Sequence, residues 1–275
     1  MKSGLILFFA AAAAFVTAEP AAAATGDWGK GERAEVRLLA SGIGADGKLA
    51  GAIEIQLPQG WHTYWRDPGD AGVPPVIDLS KSHNFAGPMV DFPLPVRQDE
   101  GDDVVDNIYR DHVVLPFSAT VPDPAKPVDI ALDAKLGVCQ QVCVPVEVNA
   151  GLTVAPGAQD ADAAAAIAAA RAKVPGAAVP GQFALETATR DGGTDGHPVF
   201  RFDGVVPDAA KAVLFIEPPE GWAPYTPEFH SAPDGKASYV VKFTRLGSPV
   251  AVAGARFRIT IASDGRAIDQ TLAAP

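Results

Sequence analysis

The sequence predicts an all-β protein: two β-sandwich domains joined by a short alanine-rich helix. Three observations carry that expectation. Hydrophobic residues recur at period two, the mark of strands buried on one face. The alternating runs are short and separated by turn-forming clusters, in a chain with 27 Gly and 25 Pro, as sandwich folds require. One stretch, residues 159–173, breaks the pattern with almost pure alanine, the residue of highest helix propensity.

The chain opens with a targeting signal. Lys2 precedes an apolar run at residues 5–16, and small residues follow at Val16-Thr17-Ala18 and Ala22-Ala23-Ala24. This is the layout of a secretory signal peptide cleaved between Ala18 and Ala24. Twelve apolar residues fall short of the roughly 20 needed to span a bilayer. Residues 1–24 are therefore expected to be removed, leaving an exported mature chain without a membrane span.

Strands follow in order. Ala34, Val36 and Leu38 face one way, and Glu35 and Arg37 the other. Residues 49–57 repeat this, with Ile53, Ile55 and Leu57 opposite Glu54 and Gln56. Residues 113–120 are a third strand, and 128–138 the clearest: Val128, Ile130, Leu132, Ala134, Leu136 and Val138 alternate with Asp129, Asp133 and Lys135. Ala45-Asp46-Gly47 and Pro122-Asp123-Pro124 mark turns. The helix that follows has Asp160 and Asp162 at its start and Arg171 and Lys173 at its end, matching the helix dipole. Its alanine surface buries little, so it reads as a connector. After Pro180 strands resume at 199–202, 212–217, 238–244 and 255–261. The expected domains are 25–155 and 180–275, with 156–179 as the helical linker.

The halves share a motif. Ile55, Pro58, Gly60, Trp61 and Tyr64 recur as Ile216, Pro219, Gly221, Trp222 and Tyr225, at a constant offset of 161 residues. A duplicated β-domain and a chance recurrence of one strand-and-turn both account for it.

Composition and motifs exclude several functions. A formal net charge of −11 disfavours nucleic acid or an anionic membrane as partner. The string at residues 42–47, GIGADG, matches a dinucleotide fingerprint, but an alternating strand follows it where the pyrophosphate needs a helix N-terminus. It reads as a hairpin turn. The histidines at 62, 83, 112, 197 and 230 show no metal-ligand spacing and read as surface or turn residues. No metal and no cofactor is expected.

The only two cysteines, Cys139 and Cys143, end the strongest strand. By alternation Cys139 shares a face with Asp133 and Lys135, and Cys143 also falls on the polar side, which places the pair near the surface. A disulfide wants Cα atoms about 4.4–6.8 Å apart, whereas four residues of extended strand span roughly 13 Å. The two cysteines must then flank a reversal, a three-residue loop of Gln140, Gln141 and Val142. As a staple, a ring this small contributes only about 2 kcal/mol. A redox pair, a structural staple and a free dithiol all remain open.

At these residues the chain resembles the N-terminal periplasmic domain of DsbD-type thiol:disulfide interchange reductases, and most closely its ScsB-type, copper-tolerance-associated variant. Four segments carry the resemblance in order: GWHTYWRDPGDAG at 60–72, FPLP at 92–95, IYRDHVVLP at 108–116 and CQQVCVP at 139–145. The second half resembles the ScsB-type extra β-region more loosely, at VAVAG 250–254 and DGRA 264–267.

The resemblance implies immunoglobulin-like sandwiches and a periplasmic location. It implies a Cys139/Cys143 pair cycling between dithiol and disulfide, with Cys143 the more exposed cysteine that forms the mixed disulfide and Cys139 its resolving partner. It places Tyr64 beside the pair and aligns residues 97–106, including Asp99 and Asp102, with a loop that caps it. Trp61, Trp65, Tyr109 and Pro145 fall in the same motifs and are expected to help cap the pair or bind partners. The membrane conduit and thioredoxin-like domain of the longer relatives are missing here. Electrons are therefore expected from a separate membrane electron-conduit protein through a thioredoxin-like donor, and to pass to thioredoxin-fold periplasmic proteins. The alternative is a non-catalytic adaptor, in copper stress or cytochrome c maturation, whose disulfide is structural.

Overall fold

The computed structural model describes residues 24–102, 104–231 and 236–275. The expected export signal, apart from Ala24, lies outside the described residues. Among them no helix is long and apolar enough to cross a membrane.

The first half contains β1 (Gly29–Lys30), β2 (Glu35–Ile43), β3 (Lys48–Gln56), β4 (His62–Gly69), β5 (Val76–Asp78) and β6 (Ala86–Val90). It continues with β7 (Val96–Gly101), β8 (Val104–Arg110), β9 (His112–Thr120), β10 (Val128–Cys139) and β11 (Cys143–Val154). These form two facing sheets, ordered β1-β2-β3-β9-β6 and β11-β10-β4-β8-β7, with β5 on β10. The alternation explains why they face each other. Val36, Leu38, Ile53, Ile55, Leu115 and Phe117 from one sheet pack against Trp65, Ile130, Leu132, Leu136 and Val138 from the other. Each such side chain, fully buried, stabilises the fold by roughly 1.5–3 kcal/mol. The segment at residues 44–47 is the turn between β2 and β3, as expected.

The helix α1 (Ala161–Arg171) is capped by Asp160, whose Oδ1 accepts from the Ala163 backbone N–H at 2.9 Å. It is more than the bare connector its composition suggested. Ala163 and Ile167 bury against Leu39 and Ala52 on the outer face of β2 and β3, and Arg171 pairs with Asp91 at 3.2 Å.

The second half contains β12 (Gly176–Ala177), β13 (Ala184–Gly193), β14 (Pro198–Val205), β15 (Val213–Glu217) and β16 (Trp222–Pro224). β17 (Glu228–Ser231), β18 (Ala237–Arg245), β19 (Arg256–Ser263) and β20 (Arg266–Ala273) complete it. The sheets are ordered β12-β20-β19-β15 and β13-β14-β18-β16, with β17 on β18. The core is aromatic: Phe200, Phe202, Trp222, Phe243 and Phe257 pack with neighbouring ring centroids 5.0–6.5 Å apart. The protein is thus two immunoglobulin-like β-sandwiches.

The repeated motif has the same conformation twice. Gly60 and Gly221 adopt φ of 80° and 74°, and the N–H groups of Trp61 and Trp222 each donate to a carbonyl three residues back, Pro58 and Pro219, at 3.0 Å. A turn with positive φ at its third residue requires Gly there. An arginine also lies over each indole, Arg33 on Trp61 at 5.1 Å and Arg245 on Trp222 at 5.3 Å.

The sandwiches meet through β4 and β15. Phe215 joins the first core, edge-on to Trp65 at 5.4 Å.

Candidate functional site

The cysteine pair closes the β10–β11 hairpin. Twelve consecutive residue pairs run in unbroken register from Val128↔Val154 to Cys139↔Cys143. Directly opposed strand residues approach closely; here the Cα atoms are 4.1 Å apart and the sulfurs form a disulfide. Gln140, Gln141 and Val142 make the three-residue loop expected from the spacing, and Val142 is 67% exposed.

The two sulfurs have different surroundings. Cys143 is exposed. Cys139 shares the outer face with Lys135, as alternation indicated, yet it is only 2% exposed. The expected near-surface pair is corrected for this member. Alternation identifies a face but cannot show what lies over it.

Tyr64 lies over it. The pairings Cys139↔His62, Tyr64↔Ile108 and His62↔Arg110 place these side chains on one face of the sheet. Tyr64, Ile108 and Cys139 form a small apolar cluster separate from the main core. The ring slots between two glycines. A Cβ on Gly137 would stand 3.1 Å from ring carbons of Tyr64, and one on Gly72 only 2.5 Å away. The loop carrying Gly72 is tied to β8 where Asp106 Oδ1 accepts from the Ala71 N–H at 3.0 Å and Asp70 Oδ2 accepts from the Val105 N–H at 2.8 Å. The Tyr64 hydroxyl lies 3.1 Å from Cys139 Sγ and 3.4 Å from Cys143 Sγ. Disulfide sulfurs carry no hydrogen, so the phenol donates. Burial, with the charges of Asp106 and Glu100, pushes its pKa up, keeping it a donor at neutral pH.

His62 stands directly opposite Cys139 on β4, the strand that also carries Tyr64. The solvent-facing position expected of it is corrected: it is 4% exposed and meets Tyr64 edge-on with ring centroids 5.6 Å apart. Desolvation lowers its pKa; Glu100 and Asp106 oppose that shift, and Arg110 adds to it. The sequence signal for His62 was its parity: it lies two residues before Tyr64 and so on the same strand face. Gly72, Gly137 and Ile108 carried no signal of their own.

The remaining candidates scatter. Pro145 is exposed and paired with Gly137, on the cysteine face. Trp61 is half-buried in the turn before β4 under Arg33. Trp65 points the other way, fully buried in the first core. Tyr109 also faces the core, its hydroxyl donating to the Pro93 carbonyl at 2.6 Å. Of the residues aligned with a capping loop, 97–101 lie in β7 and 104–106 in β8, the two strands of one hairpin. Asp99 is exposed and accepts from the Gly101 N–H; Asp102 is exposed at the turn with φ 52°. Glu100 and Asp106 are the hairpin residues whose charges act on both His62 and Tyr64. Among the described residues no cluster of three His, Cys, Asp or Glu side chains is placed to hold a metal.

The family model of the thiol:disulfide interchange protein DsbD N-terminal domain matches residues 32–154. The crystal structure of the N-terminal periplasmic domain of ScsB from Proteus mirabilis is similar in fold, with a TM-score of 0.67 at 22% identity, covering 91% of this chain and 98% of that one. No curated protein matches the chain. The cysteine-bearing sandwich, from β2 to the end of β11, falls within the matched residues, and over residues 32–154 the chain carries a domain that matches the DsbD N-terminal thiol:disulfide interchange family.

Proposed function

We propose that the protein is a periplasmic thiol–disulfide relay module. It takes electrons from a membrane-linked thioredoxin-like donor and passes them to thioredoxin-fold acceptors through Cys139 and Cys143. One observation carries the reading: a single disulfide whose two sulfurs are unequal, one exposed beside an open loop and one buried under Tyr64. A bond that serves only as a staple across directly paired strand ends adds about 2 kcal/mol to a hairpin already held by a full ladder. An exposed sulfur with a buried partner suits exchange, which requires one accessible nucleophile and one resolving thiol.

In the dithiol form, the Cys143 thiolate attacks one sulfur of the acceptor's disulfide, and the acceptor's other sulfur leaves as a thiolate. The Cys139 thiolate then attacks Cys143 Sγ in the mixed disulfide, forming the Cys139–Cys143 bond and releasing the acceptor as a dithiol. Two electrons have passed to the acceptor, and the donor's dithiol restores the pair. The Tyr64 hydroxyl, within 3.4 Å of both sulfurs, donates to whichever becomes the thiolate.

The test is mixed-disulfide trapping with Cys139→Ala in periplasmic extract. A disulfide-linked adduct through Cys143 to a thioredoxin-fold protein is expected. No adduct, together with a wild-type disulfide that a thioredoxin-like donor fails to reduce, leaves the adaptor with a structural disulfide as the reading.

A further inference from the structure

Resolution of the mixed disulfide sets a problem at Cys139. The attacking species must be a thiolate, yet Cys139 is 2% exposed and burial in apolar surroundings disfavours the charged form. No Lys or Arg lies within four residues of Cys143 on either side, so the hairpin brings no nearby cation along the chain. The sheet supplies a base instead. Cys139 has a paired residue on each side: Cys143 on β11 and His62 on β4. Directly opposed residues hold their Cβ atoms about 4.5–5.5 Å apart on the same face, within reach of an imidazole nitrogen for a sulfur.

We infer that His62 is the proton acceptor for the Cys139 thiol in the resolving step, an assignment that rests on the relay reading above. The proton moves from Cys139 Sγ to a ring nitrogen of His62. The resulting thiolate attacks Cys143 Sγ, the bond from Cys143 to the acceptor breaks, and the acceptor's sulfur departs with the electron pair. The proton passes from His62 to that leaving thiolate or to water. Tyr64 complements this step without replacing it: its phenol holds a hydrogen bond to the sulfur but is not a base at neutral pH.

The surroundings suit the role. The charged and titratable groups acting on His62 are Glu100 on β7, Asp106 and Arg110 on β8, Tyr64 on its own strand and Cys139 on β10. Desolvation keeps the resting imidazole neutral near pH 7, the form that accepts a proton. Glu100 and Asp106 favour the imidazolium once it forms, and Arg110, which opposes it, is engaged by Gln98.

The test follows single-turnover oxidation of the reduced protein by a disulfide-bonded thioredoxin, from pH 6 to 9.5, in wild type and in His62→Phe and His62→Gln. His62→Phe keeps a ring against Tyr64, and His62→Gln keeps a polar group there; unfolding transitions establish that each variant is folded. With the base removed, decay of the mixed disulfide at pH 7 is expected to slow by about a hundredfold, the lower edge of general-base effects. The difference should narrow toward pH 9.5, as a growing share of the thiol ionises without the base. Formation of the mixed disulfide through Cys143 should change little. Superimposable pH profiles in wild type and variants overturn the inference. A wild-type protein that forms no mixed disulfide overturns the relay reading instead. NMR titration of His62 in wild type, reduced and oxidised, is independent of how the variants fold: its midpoint should move on reduction, and an unchanged midpoint also counts against the role.

Discussion

Arg66 grips Glu217 across the junction of the two sandwiches. Its Nε lies 3.0 and 3.2 Å from the two carboxylate oxygens, and its Nη2 2.7 Å from Oε1. The same Nη2 also reaches Asp269 at 2.6 Å and Thr260 at 3.1 Å, while the guanidinium stacks 4.0 Å from the Trp65 ring. Arg66→Ala leaves two partly buried acids facing Arg258 alone. Removing one partner of a buried pair costs about 3–5 kcal/mol, and the remaining arginine and partial exposure reduce this to about 2 kcal/mol. Urea unfolding should show the unfolding free energy falling by that amount, with the midpoint moving to lower urea; an unchanged midpoint contradicts a structural role for the junction.

Gly72→Ala tests the slot that holds Tyr64. The new Cβ would stand 2.5 Å from Tyr64 Cδ1 and 2.6 Å from Pro68 Cβ, so the ring or the loop must shift. Overpacking of this kind costs about 1–3 kcal/mol. In the reduced protein Cys139 should become open to alkylation, which its burial otherwise resists. Tyr64→Phe keeps the wedge and loses only the hydroxyl, a loss of about 1 kcal/mol, and should leave Cys139 protected. Equal protection in wild type and Gly72→Ala counts against the wedge.

Asp67 makes stability depend on pH in an unusual direction. Desolvation, and then the charge of Glu217, raise its pKa from 3.8 to about 6. The folded state therefore binds this proton more tightly than the unfolded chain, and the penalty for ionising it is present above about pH 6 and absent below about pH 4. Through this group alone, stability rises as pH falls across that window, by at most about 3 kcal/mol. The clean reading is the difference between wild type and Asp67→Asn. The substitution should stabilise at pH 7.5 and do little at pH 4, measured by chemical unfolding. A constant difference across the window rules the assignment out.

Asp160 secures the helix twice. One carboxylate oxygen caps the Ala163 N–H, and the other accepts from Thr25 Oγ1 at 2.9 Å. Asp160→Ala should destabilise by about 1 kcal/mol and leave thiol–disulfide exchange at its wild-type rate. A fall in exchange would mean that the helix influences the hairpin through the sheets.

How much of this was legible in the sequence varied with what covers each face. The β10–β11 hairpin was readable because one face is buried and one largely open, so alternation ran cleanly through residues 128–138. The distance demanded by a disulfide then located its reversal. β4 was not readable as a strand. His62, Thr63, Tyr64 and Trp65 are all buried, and a strand covered on both faces has no period to detect. For that reason the orientation of Trp65 and Tyr109 toward the core was lost, and so was the burial of His62 and Cys139. The lid over Cys139 comes from Tyr64 and Gly72, distant in sequence and joined to the pair only by the sheet. The helix was visible from its alanines and charged ends; its docking rests mainly on Ala163 and Ile167, too few apolar contacts to stand out in an alanine-rich run.

Phe215 belongs by sequence to the second sandwich but packs in the core of the first. That limits how freely the halves can be separated or exchanged. A polypeptide ending at residue 179 would carry Trp65 with one side facing water and Arg66 without either of its acids. Such a fragment should bind hydrophobic dyes and self-associate. Recombining this cysteine-bearing half with another sandwich calls for a matching aromatic on the incoming β15 and two carboxylates beside it.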